Sequence, residues 1–344
     1  MDAADPSVKQ DYQREIFGNR VRKKFKHLKK WARRNGVECF RVFDRDIPEI
    51  PLALDIYRIE DGRGRKEDWV LMSLFERPYG KPEDEEERWL AAMKDTASLC
   101  LGIPPERILW GMRKRQRGAA QYEPTGAAQA AGIIREGGAA FRVALGAYVD
   151  TGFFLEQRKL RALVRSESMG KEVLNLFSYT CAFSVFAALG GARRVDSVDL
   201  SNTYLETGRR NFILNGLSPE GLHREDVSAF LSRSALQNRV WDLIILDPPV
   251  FSNSKMSPGV LDLRRDWPRL VNACLDCLGE GGVLYFSVHA KKFRFDPGAV
   301  QGRTTRGLGV HIREITPSMT SEDFARGRQP YRVWRFRAEG GGVH

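Results

Sequence analysis

The chain has 344 residues, of which 42% are hydrophobic and 29% are charged, and its formal net charge is +11. This length and composition predict a globular protein with about two cores and exclude a disordered chain. No apolar run is long enough to suggest a membrane helix, and the five dispersed cysteines do not form a disulfide framework. The excess of positive charge favours a polyanionic partner.

The first segment, residues 1–38, is predicted to be a basic helix with one apolar face. Between Arg14 and Arg34 there are ten lysines and arginines and a single acid, and apolar residues recur there at helical spacing. We expect the apolar face to pack on the body and the basic face to meet phosphates rather than a membrane. The candidate phosphate contacts on this helix are Arg20, Arg22, Lys23, Lys24, Lys26 and Lys30.

Residues 39–149 are predicted to form a small β-rich α+β domain. Its expected strands and helix are 39–43, 52–57, 69–75, 82–101 (the helix), 108–112 and 141–148. The run 118–140 is rich in glycine and alanine, which predicts a long loop or ribbon. A basic cluster precedes this run and adds further candidate phosphate contacts, namely Arg113, Lys114, Arg115 and Arg117.

Residues 150–338 alternate between short apolar strands and helices, which predicts a parallel, doubly wound sheet. The expected strands are 173–177, 195–199, 223–227, 241–247 and 283–288, and two more near 312–315 and 331–336 complete a Rossmann-like sheet of seven strands. Expected helices are 182–189, 204–214, 228–237 and 260–278. Ligands of such sheets bind outside the carboxyl ends of the strands.

The ends of the first three strands suggest a nucleoside cofactor. Asp199 ends the second strand, where a carboxylate can accept hydrogen bonds from ribose hydroxyls or cap the next helix. Asp226 is expected either to accept from an adenine amino group or to cap a helix. Because the first strand is not followed by G-x-G-x-x-G, a nicotinamide cofactor is disfavoured. A methyl-donor site needs a tight loop after the first strand, and glycine commonly supplies such a loop. The loop that follows the first strand here has no glycine.

The strongest single motif is Asp247-Pro248-Pro249-Val250-Phe251, which follows the buried fourth strand. Proline cannot join the ladder, so the strand must stop there and the carbonyls are held in a fixed direction. Phe251 offers a face on which a base can stack. This pattern is typical of nucleic-acid methyltransferases that use S-adenosylmethionine (SAM).

The segments that carry a family resemblance are 19–24, 30–32, 150–158, 174–180, 190–192, 198–206, 215–217, 247–255 and 323–329. In these segments the chain resembles the K-type 23S rRNA guanine-N7 methyltransferases, which many bacteria carry as the C-terminal half of a bifunctional rRNA methyltransferase. The resemblance implies an α/β fold: a class I SAM-dependent methyltransferase domain preceded by a small β-rich domain. SAM is the implied cofactor, and no metal site is expected.

By matching position, the resemblance implies a cofactor pocket lined by Phe154, Arg158, Asn175, Phe177, Ser178, Tyr179, Asp199, Leu200, Asp226 and Asp247. Arg158 would lie near the methionine carboxylate. The implied catalytic residues are Asp247, Pro248, Pro249 and Phe251. Asp247 and the two prolines would hold the donor edge of the base, and Phe251 would stack on the base.

Two departures from the family pattern stand out. Cys181 occupies a position where relatives usually have glycine, and Val288-His289-Ala290 replaces the more usual Asn-Asn-Lys. His289 is expected to be a surface or packing residue, because guanine N7 has a free lone pair and needs no general base. The partner half of the bifunctional relatives is absent, so delivery of the RNA can differ.

A protein methyltransferase would leave the basic helix and the basic loop unexplained, and two further alternatives remain open. A 5-methylcytosine rRNA methyltransferase would need a thiolate after the fourth or fifth strand, and neither place has a cysteine. An RNA-binding ribosome-assembly factor with a degenerate SAM site is the other. The expected partner is 23S rRNA or a large-subunit assembly intermediate. Because the N-terminus lacks a signal-peptide pattern, the expected location is the cytoplasm, and the sequence leaves the oligomeric state open.

Overall fold

The computed structural model describes residues 6–77, 80–113, 129–146, 151–253, 259–290, 292–325 and 329–340. Its helices are α1 (Pro6–Arg34), α2 (Glu83–Leu101), α3 (Arg158–Glu167), α4 (Ala182–Leu189), α5 (Asn202–Leu214), α6 (Val227–Leu236), α7 (Leu263–Asp276), α8 (Thr316–Met319) and α9 (Glu322–Ala325). Its strands are β1 (Phe40–Asp44), β2 (Leu52–Glu60), β3 (Lys66–Phe75), β4 (Ile108–Arg113), β5 (Ala130–Glu136), β6 (Ala139–Leu145), β7 (Glu172–Leu176), β8 (Arg194–Asp199), β9 (Leu222–Arg224), β10 (Trp241–Leu246), β11 (Phe251–Ser252), β12 (Leu261–Asp262), β13 (Leu278–Val288), β14 (Gly309–Glu314) and β15 (Arg332–Glu339).

The first sheet has the strand order β4-β3-β2-β5-β6, and β1 also pairs with β2. Helices α1 and α2 pack together with it in one core, which contains Phe17 and Val21 of α1 and Trp89 and Met93 of α2. The core is therefore continuous across residue 38. The domain boundaries at 38 and 149 stay predictions, and residue 149 lies outside the described residues. Among the described helices, none is long and apolar enough to cross a membrane.

One strand of this sheet was not predicted. The second half of the expected loop or ribbon forms β5, which pairs antiparallel with β6. Gly137 and Gly138, both at positive φ, make the two-residue turn between them, as hairpin turns of the mirror-image type require. A Cβ at Gly132 would lie 2.5 Å from the Glu60 carbonyl oxygen, so only glycine lets β5 approach β2 there. The small residues that suggested a loop therefore allow β5 to pack closely against β2.

The second sheet has seven strands in the order β14-β15-β13-β10-β7-β8-β9. Strands β7 to β10 and β13 run parallel, and β15 pairs antiparallel with both β13 and β14. This confirms the predicted class I methyltransferase architecture. In register, Leu176 of β7 lies beside Val198 of β8 and Leu246 of β10, so the residues that follow these three strands emerge at one edge of the sheet.

A buried ionic network joins the two parts of the chain. Glu136, at the end of β5, binds Arg158 at 3.1 Å and Arg161 at 2.7 Å, both on α3. Arg158 also binds Asp323 of α9 at 3.1 Å and donates to the carbonyl oxygen of Cys39 at 2.5 Å. Because these groups are largely withdrawn from water, removing one partner would leave its counter-charges buried and uncompensated. The network therefore helps to hold the two sheets in one arrangement.

Candidate active site

A cavity of about 1430 Å³ opens at the carboxyl ends of β7, β8, β10 and β13. Because the strands end in register, Phe177, Asp199 and Asp247 reach it side by side. Among the predicted site residues of the described chain, those that line the cavity are Phe154, Phe177, Tyr179, Asp199, Leu200, Asp247, Pro248, Pro249 and Phe251. The loop after β7 and the motif after β10 are thus brought to one place, as the strand ends predict.

The loop between β7 and α4 bends tightly although it has no glycine. Phe177, Tyr179 and Cys181 all adopt positive φ, at 55°, 50° and 61°. Each such residue costs roughly 1–2 kcal/mol relative to glycine, so the surrounding structure must enforce the bend. Part of that enforcement is packing: Cys181 is fully buried against α5, where a Cβ on Gly208 would lie 2.4 Å from the cysteine sulfur.

The Asp199 carboxylate is held by backbone amides of two elements. The amide of Tyr179 donates to Oδ2 at 2.9 Å, and the amide of Ser201 donates to Oδ1 at 2.8 Å. Ser201, not Asp199, is the N-cap of α5. Burial raises the pKa of Asp199 to about 6, against the opposing effect of these hydrogen bonds. This carboxylate faces the cavity with acceptor capacity to spare, which suits hydroxyl donors of a ribose.

Asp247 is more fully engaged by the protein than the sequence suggests. Gln157 donates to its Oδ2 at 2.7 Å, Ser287 donates to its Oδ1, and His289 Nε2 lies 3.5 Å from Oδ1. Burial by itself raises the pKa of Asp247, but the hydrogen bonds from His289, Ser287 and Gln157 outweigh it and hold the pKa below the ordinary range. Asp247 therefore stays ionised and anchors the start of its own loop.

The segment after Asp247 is presented by a short ribbon. Phe251 lies on β11, which pairs with β12, and the Leu263 amide at the start of α7 donates to the Val250 carbonyl at 3.1 Å. The expected start of that helix is thus partly strand. Phe251 is 39% exposed, which is unusual for a phenylalanine and leaves its ring accessible from the cavity. The following residues of the matched motif, 254 and 255, lie outside the described residues.

An aromatic wall runs across the cavity. The ring of Phe154 lies 5.3 Å from that of Tyr179 and 5.8 Å from that of His289, which stacks on Tyr331 at 5.5 Å with an angle of 16° between planes. Tyr204 meets Tyr179 edge-on at 4.4 Å. The expectation that His289 is a surface or packing residue was incomplete, because His289 lines the cavity and contacts Asp247 and Gln157. Its place directly after β13 was the available signal.

Four predicted cofactor residues lie beside the cavity without lining it. Arg158 is taken up by the ionic network described above. Asn175 is buried and donates to the Ser184 hydroxyl at 2.9 Å, while Ser178 donates its amide to the Val198 carbonyl. Asp226 is the N-cap of α6 and accepts from Ser228 and Ala229. Direct cofactor contacts by these four stay predictions, and their observed bonds support the walls of the site.

The first domain also lines the cavity, which the sequence analysis missed. Arg41 binds Asp55 at 2.7 Å and Asp44 at 3.4 Å, and Arg45 binds Asp44 while its guanidinium lies 3.9 Å above the Phe75 ring. Arg45 has a φ of 52°, so its backbone is strained at this point. No local pattern marks these residues, because their proximity to the cofactor side arises from contact between domains.

The predicted phosphate contacts on α1 fall into two groups. Arg20, Arg22, Lys23, Lys26 and Lys30 are exposed. Lys24, in contrast, is mostly covered and pairs with Asp46 at 2.9 Å, so its charge is already balanced. Arg113 ends β4 without a described side chain, and Lys114, Arg115 and Arg117 lie outside the described residues.

The donor set fits SAM. Asp199 offers a carboxylate at the ribose position, and the aromatic wall offers apolar and π surfaces for an adenine and a sulfonium. All five cysteines are described, and none lines the cavity. Burial raises the pKa of Cys181 to about 12 and that of Cys277 to about 11, so neither provides a thiolate.

Comparison with known proteins agrees with this geometry. A family model described as S-adenosylmethionine-dependent methyltransferase matches residues 67–306. Ribosomal RNA large subunit methyltransferase K of Neisseria meningitidis is 39% identical over 323 residues, which are 93% of this chain and 86% of that protein. Ribosomal RNA large subunit methyltransferase K/L of Pseudomonas entomophila is 40% identical over 94% of this chain, which spans only 42% of that protein. The crystallised SMU.776 protein, bound to SAH, shares the fold with a TM-score of 0.68 at 24% identity, covering 94% of this chain and 81% of its own.

The family match covers the Asp-Pro-Pro segment and all of the aromatic wall except Tyr331, and it makes SAM the cofactor of this site. The chain therefore belongs to the S-adenosylmethionine-dependent methyltransferase family, in the group of the ribosomal RNA large subunit methyltransferases K.

Proposed function

We propose that this chain transfers a methyl group from SAM to N7 of a guanine in 23S rRNA, an RNA of the large ribosomal subunit. The observation that carries the proposal is the Asp247–Phe251 segment, which lines the cofactor cavity and exposes an aromatic ring there. The name of the relative from Neisseria meningitidis supports the class of RNA. The N7 position rests on the motif resemblance.

On the cofactor side, the chain has to bind and orient SAM, which supplies an electrophilic methyl group when bound. Asp199 would accept the ribose hydroxyls, and Phe177 and Tyr179 would line the same side. Phe154, packed against Tyr179, would exclude water from the reacting groups. Exclusion of water strengthens the electrostatic interactions inside the site.

On the substrate side, the chain has to hold one base out of its stack. Phe251 would stack on the extruded guanine, and Pro248 and Pro249, which line the cavity after β10, would hold the backbone of this segment in a fixed direction. Guanine N7 has a lone pair of its own, so no residue has to remove a proton. Catalysis would then come mainly from proximity and orientation of the two reacting atoms.

The exposed basic face of α1 would bind phosphates of the RNA. Each phosphate contact contributes about 0.7–0.9 to the slope of log affinity against log salt. We expect the double variant Lys23→Ala with Lys26→Ala to lower this slope by roughly 1.5 in binding titrations with rRNA. Arg63→Ala, at an exposed turn between β2 and β3, is the matched control and should leave the slope unchanged. An unchanged slope in the double variant would remove α1 from the RNA surface.

The two alternatives have less support. A 5-methylcytosine enzyme would need a reactive cysteine at the base, and the described cavity has none. A decayed SAM site would be expected to lose its ligands, whereas Asp199 and the aromatic wall are in place. Binding to 23S rRNA alone, or to an assembly intermediate in the cytoplasm, both fit the proposal.

The test is methyl transfer from labelled SAM to rRNA from a strain that lacks this gene, with the product mapped by nuclease digestion and mass spectrometry. We expect 7-methylguanosine in 23S rRNA. Label on another base or on protein would leave the methyltransferase assignment intact and overturn the substrate. An Asp199→Asn variant, which keeps the shape of the side chain, serves as the low-activity control.

A further inference from the structure

Five carboxylates line the described part of the cavity, and four of them are hydrogen-bonded by the protein. Asp44 and Asp55 are paired with arginines of the first domain, Asp199 accepts two backbone amides, and Asp247 accepts from Ser287 and Gln157. The fifth, Glu156, receives no hydrogen bond from the described residues. Glu156 is partly covered and lines the cavity, so its carboxylate can accept hydrogen bonds from a donor that occupies the cavity.

Glu156 is placed for such a donor. It lies in the single helical turn Leu155–Gln157 that leads into α3, directly after Phe154 of the aromatic wall. Its side chain is only 16% exposed, and the Nδ1 atom of His289 lies 3.7 Å from its Oε1 atom. His289 in turn contacts Asp247 on its other side, so Glu156 and the Asp-Pro-Pro segment face the same volume.

We propose that the Glu156 carboxylate recognises the target base by accepting the N1–H and the 2-amino group of guanine. This inference rests on the proposed function and deepens it. A carboxylate has two oxygens side by side, which match two parallel N–H donors on one edge of the base. Binding of that edge leaves N7, on the other ring, free to react. Among the four RNA bases, only guanine presents an N–H and an amino group together on this edge.

The assignment also changes the part played by Asp247. Its oxygens are already bonded to Ser287 and Gln157, so it has less capacity for a base than Glu156 has. Asp247 instead fixes Gln157 and His289, which pack beside Glu156. Glu156 reads the base, and Asp247 positions the residues around it.

One other occupant is possible on the same chemistry, namely the ammonium group of the SAM methionine. The two occupants differ in what the variant loses. If Glu156 binds guanine, Glu156→Ala weakens use of RNA and leaves SAM affinity within about twofold. If Glu156 binds the cofactor, calorimetry with SAM shows the loss directly, at about tenfold or more for a charge-assisted bond.

The experiment measures kcat/KM with two synthetic RNAs that span the mapped target, one with guanosine and one with inosine there. Inosine lacks only the 2-amino group. We expect the wild-type enzyme to prefer guanosine about tenfold or more, because inosine removes a hydrogen bond to a charged acceptor. In Glu156→Ala the rate with guanosine falls and the preference falls below about twofold. Glu156→Gln keeps the volume of the side chain and should also lose the preference, because its amide nitrogen opposes a donor.

The matched control is Glu106→Gln, which changes an exposed glutamate distant in sequence from Glu156. This variant should keep the wild-type preference for guanosine. Formation of 7-methylguanosine with an undiminished guanosine preference in both Glu156 variants overturns this inference alone. Tenfold weaker SAM binding with that preference retained assigns the carboxylate to the cofactor and also overturns it. Absence of 7-methylguanosine with the wild-type enzyme overturns the proposed function and this inference together.

Discussion

The contact between Cys181 and Gly208 gives a prediction that can be worked out from the structure. Cys181 holds the left-handed end of the cofactor loop, and its sulfur fills the space where a side chain at position 208 would lie. Alanine at 208 would place its Cβ 2.4 Å from that sulfur and 3.0 Å from the Cys181 Cβ. Neither distance is tolerable, so α5 or the loop has to move.

The magnitude follows from two opposing contributions. Overpacking of this kind costs about 1–3 kcal/mol in unfolding free energy. Alanine in place of glycine inside a helix gains up to about 1 kcal/mol. In the Cys181→Gly background the clash is gone and only the helix gain remains. The coupling between the two positions should therefore be about 1–3 kcal/mol, because the helix gain cancels in the double-mutant cycle.

The assay is urea unfolding of four proteins: wild type, Gly208→Ala, Cys181→Gly and the double variant. Gly208→Ala should be destabilising in the wild type and neutral or stabilising in the Cys181→Gly protein. Calorimetry with SAM should follow the same order, since the loop also directs the Tyr179 amide to Asp199. If Gly208→Ala has the same effect in both backgrounds, the cysteine is not what requires glycine at 208.

Three further predictions concern the site and its support. The pKa of Asp199 is raised to about 6, so its carboxylate becomes protonated as the pH falls through that value and loses acceptor capacity. The affinity for SAM should therefore fall below pH 6, by up to about tenfold per pH unit. In the Asp199→Asn variant the affinity for SAM should be low and nearly independent of pH. Phe251→Ala should lower kcat/KM for rRNA by roughly ten- to hundredfold, the usual worth of one base stack, with SAM affinity unchanged, and Phe251→Tyr should retain most activity; full activity of the alanine variant would refute stacking. Arg158→Ala should destabilise the fold by about 3–5 kcal/mol in chemical unfolding, because Asp323 loses its arginine partner and Glu136 keeps only Arg161. A stable variant that binds SAM at least tenfold more weakly would instead support the predicted contact with the methionine carboxylate.

The sequence located the methyltransferase sheet well because its pattern is local. Buried strands such as β10 are nearly continuous apolar runs, and Pro248 and Pro249 end that strand with little ambiguity. The ends of the strands then predicted Asp199, Asp226 and Asp247 as site residues, and the family resemblance added the other expected cofactor contacts. The strand β5 was missed for the opposite reason: its alanines and Gly132 carry no strand signal, and they are explained only by the close approach of β2.

The sequence by itself determined the fold class, the cofactor and the Asp-Pro-Pro-x-Phe segment, since these depend on residues close together in the chain. Only the tertiary structure decided which carboxylates are already satisfied. It bound Arg158 to Glu136 and Asp323, committed Asp247 to Ser287 and Gln157, and left Glu156 without a hydrogen bond from the described residues. Hydrogen bonds between residues far apart in sequence depend on how the two sheets pack, and the local sequence pattern does not predict that packing.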